Sequence, residues 1–469
     1  MITFRFETDS VFESDLMDEV RAFFPYVKKD DEAEKTLRVS CDDSDGVFTV
    51  KISGDFGEKS AQADIKPEWN DLEKKRETKR IAKVFLYDFL KNLTGVCLPY
   101  GSLTGIRPTK LFRDLEDRGE DAERLFLDVF ECSKAKTEHV KQIVKNQKPL
   151  LKVGENEVDF FVNIPFCPTR CAYCSFVSVA IDKLKKYLPD YVKLLKNEIS
   201  ILKNVLFENN LTVRAVYFGG GTPTSLPADM LASVLSEIDF PFKEFTVEAG
   251  RPDTVTKEKL DALKNAGVTR ISINPQTFWN KTLRLIGRDH TVEDFYRAAE
   301  LAKDYDFDVN FDLIAMLPSE TFEDFKFSVD SAVKLSPENI TVHTLSLKRG
   351  SELTLSGHDN TDNLLANQMV FYADAELKKH GYLPYYMYRQ KHVSGNLENT
   401  GYAKEGKICI YNVDIMEEST SILAAGAGSI SKRVFPKEGR IERQADFKAV
   451  KEYVERFEEV KTRTENFWK

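Results

Sequence analysis

Short runs of alternating apolar and polar residues open the chain. ITFRFE, TLRVSC and VFTVKISG each put an apolar residue at every second position, the period of half-buried strands. Asp-, Ser- and Gly-rich turns separate them, and the charged stretch from Glu68 to Leu93 has the spacing of an amphipathic helix. This predicts a small α+β domain over residues 1–92. Residues 93–154 hold SLTGIRPTKLFRDL and a lysine-rich stretch ending in KNQKPLLK, read as a helical connector.

From Val158 the pattern changes to apolar strand-like runs at 158–164, 213–219, 244–249, 269–275, 309–315 and 340–347. Helical stretches such as KEKLDALKNAG and VEDFYRAAELAK lie between them. Strands alternating with helices imply βα units on a parallel sheet with right-handed crossovers. Six units are two short of a closed eight-stranded barrel. The expected fold class is α/β, with a partial (β/α)6 barrel over 155–355, the N-terminal α+β domain, and a smaller C-terminal α+β region over 356–469. An aromatic-basic segment, YLPYYMYRQK, and a glycine segment, LAAGAGSISK, fall in that last region.

Composition narrows the class. Of 469 residues, 42% are hydrophobic and 30% charged, enough for a real core without disulfides. Sixty-seven basic against 76 acidic residues leave a net charge of −9, which argues against a general nucleic-acid or membrane-surface binder. No apolar run approaches the roughly 18 residues of a membrane span, and the N-terminus lacks a signal-peptide stretch. The expectation is a cytoplasmic protein with no nucleic-acid partner.

Seven cysteines, an odd number, do not read as a disulfide set, and three of them fall within eight residues. Cys167, Cys171 and Cys174 form C-x3-C-x2-C in the loop after the first barrel strand, a spacing that wraps thiolates around one metal centre. A zinc site would need a fourth ligand, and no Cys or His lies within the next hundred residues. Three thiolates on a four-iron cluster leave one iron open for a ligand. Gly219, Gly220 and Gly221, followed by Thr222, end the second strand, and such a run lets backbone pass close to a ligand. It lacks the Gly-Lys-Ser/Thr ending of a phosphate loop; a plain strand-to-helix turn is the other reading.

The C-x3-C-x2-C loop resembles the signature of radical S-adenosylmethionine (SAM) enzymes. The wider run FVNIPFCPTRCAYCSF resembles the oxygen-independent coproporphyrinogen III oxidase (dehydrogenase) group among them, over about residues 155–435. LTGIRPTKL and RQKHVSGNLENTGYAKEG resemble the subgroup with an extended N-terminal domain. The resemblance implies a [4Fe–4S] cluster on Cys167, Cys171 and Cys174, with SAM on the open iron. It puts Gly219, Gly220, Gly221 and Thr222 at the SAM amino group, Glu248, Gln276 and Asp312 on the SAM side, and Arg288, twelve residues after Gln276, at the SAM carboxylate. Leu345, at the end of the sixth strand, completes that rim, although an apolar residue there suits the core equally. Gly426-Ala427-Gly428 resembles the segment that closes the family's site.

The same resemblance implies conversion of substrate propionates to vinyl groups, taking coproporphyrinogen III to protoporphyrinogen IX, with a small electron-donor protein such as flavodoxin or ferredoxin. Tyr385, Tyr386, Tyr388, Arg389 and Lys391 form an aromatic-basic cluster suited to a tetrapyrrole and its carboxylates; an interdomain packing surface is the competing reading. His343, in the sixth strand, either faces substrate or is a satisfied core histidine. Four positions depart from the oxidase pattern: Asn163 replaces His, Phe161 replaces a SAM-contacting Tyr, Phe176 replaces a cysteine, and Met316 replaces Gly. A haem-trafficking protein of the same lineage is the alternative function.

Overall fold

The computed structural model describes all residues except 1–3, 25–26, 28–32, 105–106, 175, 177, 348–352, 354–361 and 391–392. Contacts divide it into two units; the first runs through Val144 and takes in Arg389–Glu398, and the second holds most of the remainder. Residues 93–144 of the expected connector thus belong to the first unit.

In that unit the alternating runs become strands β1 (Arg5–Thr8), β2 (Thr36–Ser44) and β3 (Val47–Gly54), followed by β4 (Lys59–Asp64). They form one sheet in that order, β1 parallel to β2 and the others antiparallel. The inward residues Phe6, Leu37, Val39, Val50 and Ile52 pack with Leu16 and Val20 of α1 (Glu13–Phe23) and Leu86 and Leu90 of α2 (Asp71–Thr94). α2 begins at a capping box between Asn70 and Glu73 and ends at Gly95 in the left-handed region, so both ends carry their own stop signals.

The second unit carries the six expected parallel strands: β5 (Glu157–Ile164), β6 (Thr212–Gly220), β7 (Glu244–Glu248), β8 (Arg270–Ser272), β9 (Asp308–Ala315) and β10 (Asn339–Thr344). Five later strands join the same sheet: β11 (Leu383–Arg389), β12 (Glu398–Ala403), β13 (Ser421–Ala425), β14 (Ile430–Phe435) and β15 (Arg440–Ala445). The order is β11-β12-β10-β9-β8-β7-β6-β5-β13-β14-β15, an open sheet and a partial barrel. The region after 356 therefore extends both edges of the barrel sheet, with β12 antiparallel to β10 and β13 parallel to β5. Among the described residues no helix is long and apolar enough to cross a membrane.

Strand register sorts the side chains. Phe160, Val162, Val216, Phe218, Phe245, Val247, Ile271 and Leu313 are buried on one face, beneath helices such as α3 (Leu188–Glu208). The alternate positions share the other face: Phe161 and Asn163, Tyr217 and Gly219, Thr246 and Glu248, Ser272, Asn310 and Asp312, Thr341 and His343. That face is largely polar. Its lower part is filled by α4 (Ile410–Glu417), whose first backbone N–H groups, Ile410 and Tyr411, donate to Glu244 at 3.0 and 3.4 Å.

Candidate functional site

The cysteine loop leaves the C-terminal end of β5, where βα sheets build their sites. Cys167, Cys171 and Cys174 are all free and half-buried. Burial pushes the thiols of Cys167 and Cys174 up, opposed at Cys167 by the Thr222 hydroxyl, 3.6 Å away. Among the described residues no three His, Cys, Asp or Glu side chains form a group that could hold a single metal ion. A cluster that takes each thiolate on a different iron does not require such convergence. The loop is pinned from outside: Arg251 donates to Thr169 Oγ1 at 2.9 Å while its fork grips Asp253, and Thr169 donates to the Gly287 carbonyl at 3.0 Å.

The glycine run presses against this loop. Gly221 and Thr222 donate their N–H groups to the carbonyls of Ile164 and Phe166. Gly220 has φ +98°, and a Cβ there would lie 1.8 Å from Asn163 Oδ1. Gly426, also at φ +98°, closes on Asn163 from the other side, where a Cβ would lie 2.3 Å from its carbonyl oxygen. Asn163 thus sits between both glycine segments and donates its amide to the Ala427 carbonyl. This asparagine is the first of the departures from the oxidase pattern. Phe161 joins Tyr217 and Tyr411 in a stack, with Tyr217 and Tyr411 centroids 4.4 Å apart at 22°.

The remaining rim residues gather beside this. Glu248 accepts from Tyr217 at 2.7 Å, and burial pushes its carboxyl up to about 7, with Asp312 adding to the effect. Asp312 accepts from Asn274 and Asn310, each at 2.8 Å. Burial alone would raise it, but His343 and Asn310 hold it below the usual carboxylate range. Gln276 adopts φ +63°, bridges to Leu313, and donates its N–H to the Asp312 carbonyl. Arg288 donates to the carbonyls of Asn274 (2.6 Å) and Gly250 (2.9 Å), tying two rim loops together. The Arg288 guanidinium lies beside the Cys171 thiol, and among the described residues Gln276 Oε1 and Arg288 Nε are buried with no hydrogen-bond partner. Such atoms are costly unless a ligand meets them, so these residues fit a polar cofactor. Leu345 is buried, its N–H on the Ala315 carbonyl, as a core residue would be.

Met316 has φ +68°, the left-handed region that a glycine adopts freely, so the residue missing from the family pattern is the one this backbone favours. Phe176 is 69% exposed.

The aromatic-basic cluster does not gather as a carboxylate-binding surface. Tyr385 and Tyr386 are buried with Ala215, Cys409, Tyr411 and Val413, and Asn412 donates to the Tyr385 hydroxyl. Arg389 belongs to the first unit: it donates to the carbonyls of Leu103 and Asn396 (2.6 Å) and lies 4.4 Å over the Tyr100 ring. Its fork is already engaged, so it does not offer the free bidentate face expected from sequence. Lys391 lies outside the described residues. Asn274, Arg251 and Tyr217 were not singled out from sequence; Tyr217 breaks the apolar run of its strand, whereas Asn274 and Arg251 lie just past strand ends and carry no such signal.

Residues 162–332 match the radical SAM superfamily model. The chain is 40% identical to the oxygen-independent coproporphyrinogen-III oxidase-like protein HemZ of Bacillus subtilis (strain 168), over 83% of this chain and 81% of that protein. It is 30% identical to the heme chaperone HemW of Escherichia coli (strain K12), over 61% of this chain and 72% of that one. The solved structure of coproporphyrinogen III oxidase (HemN) from Escherichia coli shares the fold, with TM-score 0.53 at 20% identity over 67% of this chain and 72% of that one. A [4Fe–4S] cluster and SAM are the cofactors of this superfamily and of this chain. The chain belongs to the HemZ/HemN-like oxygen-independent coproporphyrinogen oxidase family of radical SAM proteins.

Proposed function

We propose that the protein is an oxygen-independent coproporphyrinogen III dehydrogenase, which turns substrate propionates into vinyl groups by oxidative decarboxylation. The observation that carries this is the rim itself: Glu248, Gln276, Arg288 and Asp312 gather at one end of the sheet beside the cysteine loop, with partnerless Gln276 Oε1 and Arg288 Nε among them. Cys167, Cys171 and Cys174 would hold the cluster and the rim residues SAM, and the bound pair would supply the radical chemistry that removes a hydrogen atom from the propionate.

Arg251 keeps the cysteine loop in place through Thr169. The Gly219–Gly221 backbone and Glu248 would receive the SAM amino group; Arg288, whose two terminal nitrogens hold the Asn274 and Gly250 carbonyls, would meet its carboxylate through Nε alone. Phe161 and Tyr217, half-buried in the stacked column, offer the flat apolar wall against which a tetrapyrrole lies. Loss of the hydrogen atom, carbon dioxide and one electron would leave each vinyl group, the electron passing to an external one-electron acceptor such as an oxidised flavin or iron–sulfur protein. A small electron-donor protein such as flavodoxin or ferredoxin reduces the cluster.

The likeness to the heme chaperone HemW favours a second reading, a haem carrier that makes no product. Anaerobic incubation with reductant, SAM and coproporphyrinogen III separates the two. Vinyl product and carbon dioxide support the dehydrogenase; stoichiometric haem binding with untouched coproporphyrinogen supports the carrier.

A further inference from the structure

His343 lies on the sixth barrel strand, on the polar face of the sheet and in register with Ile314. Its Nε2 is 3.7 Å from Asp312 Oδ2, and the two side chains are 24% and 21% exposed. Its Nδ1 lies 3.1 Å from the hydroxyl of Tyr388. The carboxylate facing Nε2 favours the proton there, so Nδ1 accepts from the phenol and Nε2 is a donor. Tyr388 thereby fixes both the tautomer and the ring.

Each Asp312 oxygen already accepts one amide N–H, from Asn274 at Oδ2 and Asn310 at Oδ1, and keeps a second lone pair. At 3.7 Å the imidazole and carboxylate are too far apart for a direct hydrogen bond. Both side chains are partly exposed, and together they can offer one donor and one acceptor to a single group placed beside them. A carboxylate ligand is repelled by Asp312, and a pyrrole N–H cannot accept from Nε2. A hydroxyl does both. SAM carries a pair of hydroxyls on its ribose.

Resting on the assignment of Asp312 to the SAM side, we infer that His343, oriented by Tyr388, is a SAM-binding residue that donates to a ribose hydroxyl which in turn donates to Asp312. The sequence left this histidine between a substrate contact and a core residue; its geometry assigns it to the cofactor.

Equilibrium binding of SAM, and of its 2′-deoxy and 3′-deoxy analogues, to anaerobically cluster-loaded protein tests this. His343→Ala is expected to weaken SAM about tenfold, the worth of one buried hydrogen bond. It should bind the analogue lacking the partnered hydroxyl as well as the unaltered protein does. Tyr388→Phe should give the same pattern with a smaller loss, and His343→Gln, which keeps an N–H donor, should recover part of the affinity. Equal losses for SAM and both analogues make His343 a structural residue and overturn the inference, as does no loss at all. Asp312→Asn, run alongside, tests the assignment beneath it: unchanged SAM affinity in that variant means Asp312 is not on the SAM side. No tetrapyrrole is present, so the substrate assignment is not at stake.

Discussion

Asn163 donates its side-chain amide to the carbonyl of Ala427, joining the strand that delivers the cysteine loop to the glycine segment after β13. Tyr191 donates to the carbonyl of the same asparagine at 2.7 Å. Asn163→Ala leaves the buried Ala427 oxygen unpaired, at a cost of about 1–3 kcal/mol. The expected result is a lower urea midpoint with SAM affinity reduced in parallel; denaturation and SAM titration of the same preparation measure both.

Cys171→Ala is expected to abolish the cluster and all SAM cleavage while leaving the fold intact, because a loop thiolate and not a core side chain is lost. Cys41, Cys97, Cys132 and Cys409 lie on other segments, and their alanine variants should keep their iron. Iron and sulfide analysis of anaerobically reconstituted protein, with circular dichroism, is the check.

On the proposed assignment of Glu248 to the SAM amino group, its carboxyl, raised to about 7 by burial, has to ionise to hold that group. SAM binding to the protein should therefore strengthen as pH rises through that value. The Tyr217 hydroxyl opposes the rise, so Tyr217→Phe should move the midpoint of binding up by about one pH unit. SAM affinity measured from pH 6 to 9 in both proteins reads the shift directly.

Glu198 of α3 accepts from the Gly426 N–H and the Tyr453 hydroxyl, both at 2.8 Å. Burial first, and the Asp446 charge second, raise its carboxyl from 4.5 to about 8. The folded state thus holds a proton that the unfolded chain releases. Its stability contribution is full below about pH 4.5 and is lost as pH rises toward 8. Glu198→Gln, which keeps the accepting oxygen, should match the unaltered protein near pH 5 and exceed it in urea midpoint near pH 8.

Arg389→Ala is expected to act on stability and not on ligand affinity. It removes charged hydrogen bonds to Leu103 and Asn396 and the stacking on Tyr100, a loss of roughly 2–3 kcal/mol. Tetrapyrrole and SAM affinities per folded molecule should stay unchanged, which titration corrected for active fraction will show.

The barrel was legible because each of its six strands is a local apolar run bounded by helices, and the cysteine spacing is a local signal too. β4 was not, since KSAQAD has no large apolar residue and takes its place by pairing with β3. The late strands pair with β5 and β10 across more than fifty residues, a choice that local pattern does not encode. The same limit applied to side chains. Tyr385, Tyr386 and Arg389 have the composition of a ligand surface, yet register buries the tyrosines against α4 and the first unit's backbone takes the guanidinium. Asp312 and Glu248 were found through the family resemblance and their place at or near the C-terminal ends of strands, Glu248 closing β7 and Asp312 lying three residues short of the end of β9. Asn274, which holds both Asp312 and the Arg288 loop through its side chain and carbonyl, lies just past a three-residue strand and carries no motif.

Transfer of a labelled hydrogen tests the proposed reaction most directly. Coproporphyrinogen III deuterated at the propionate carbon next to the ring is incubated anaerobically with the protein, SAM and reductant, and the 5′-deoxyadenosine is weighed by mass spectrometry. One deuterium in 5′-deoxyadenosine for each vinyl group and carbon dioxide formed is the expected result. Unlabelled 5′-deoxyadenosine, with the substrate's propionates intact, would contradict it.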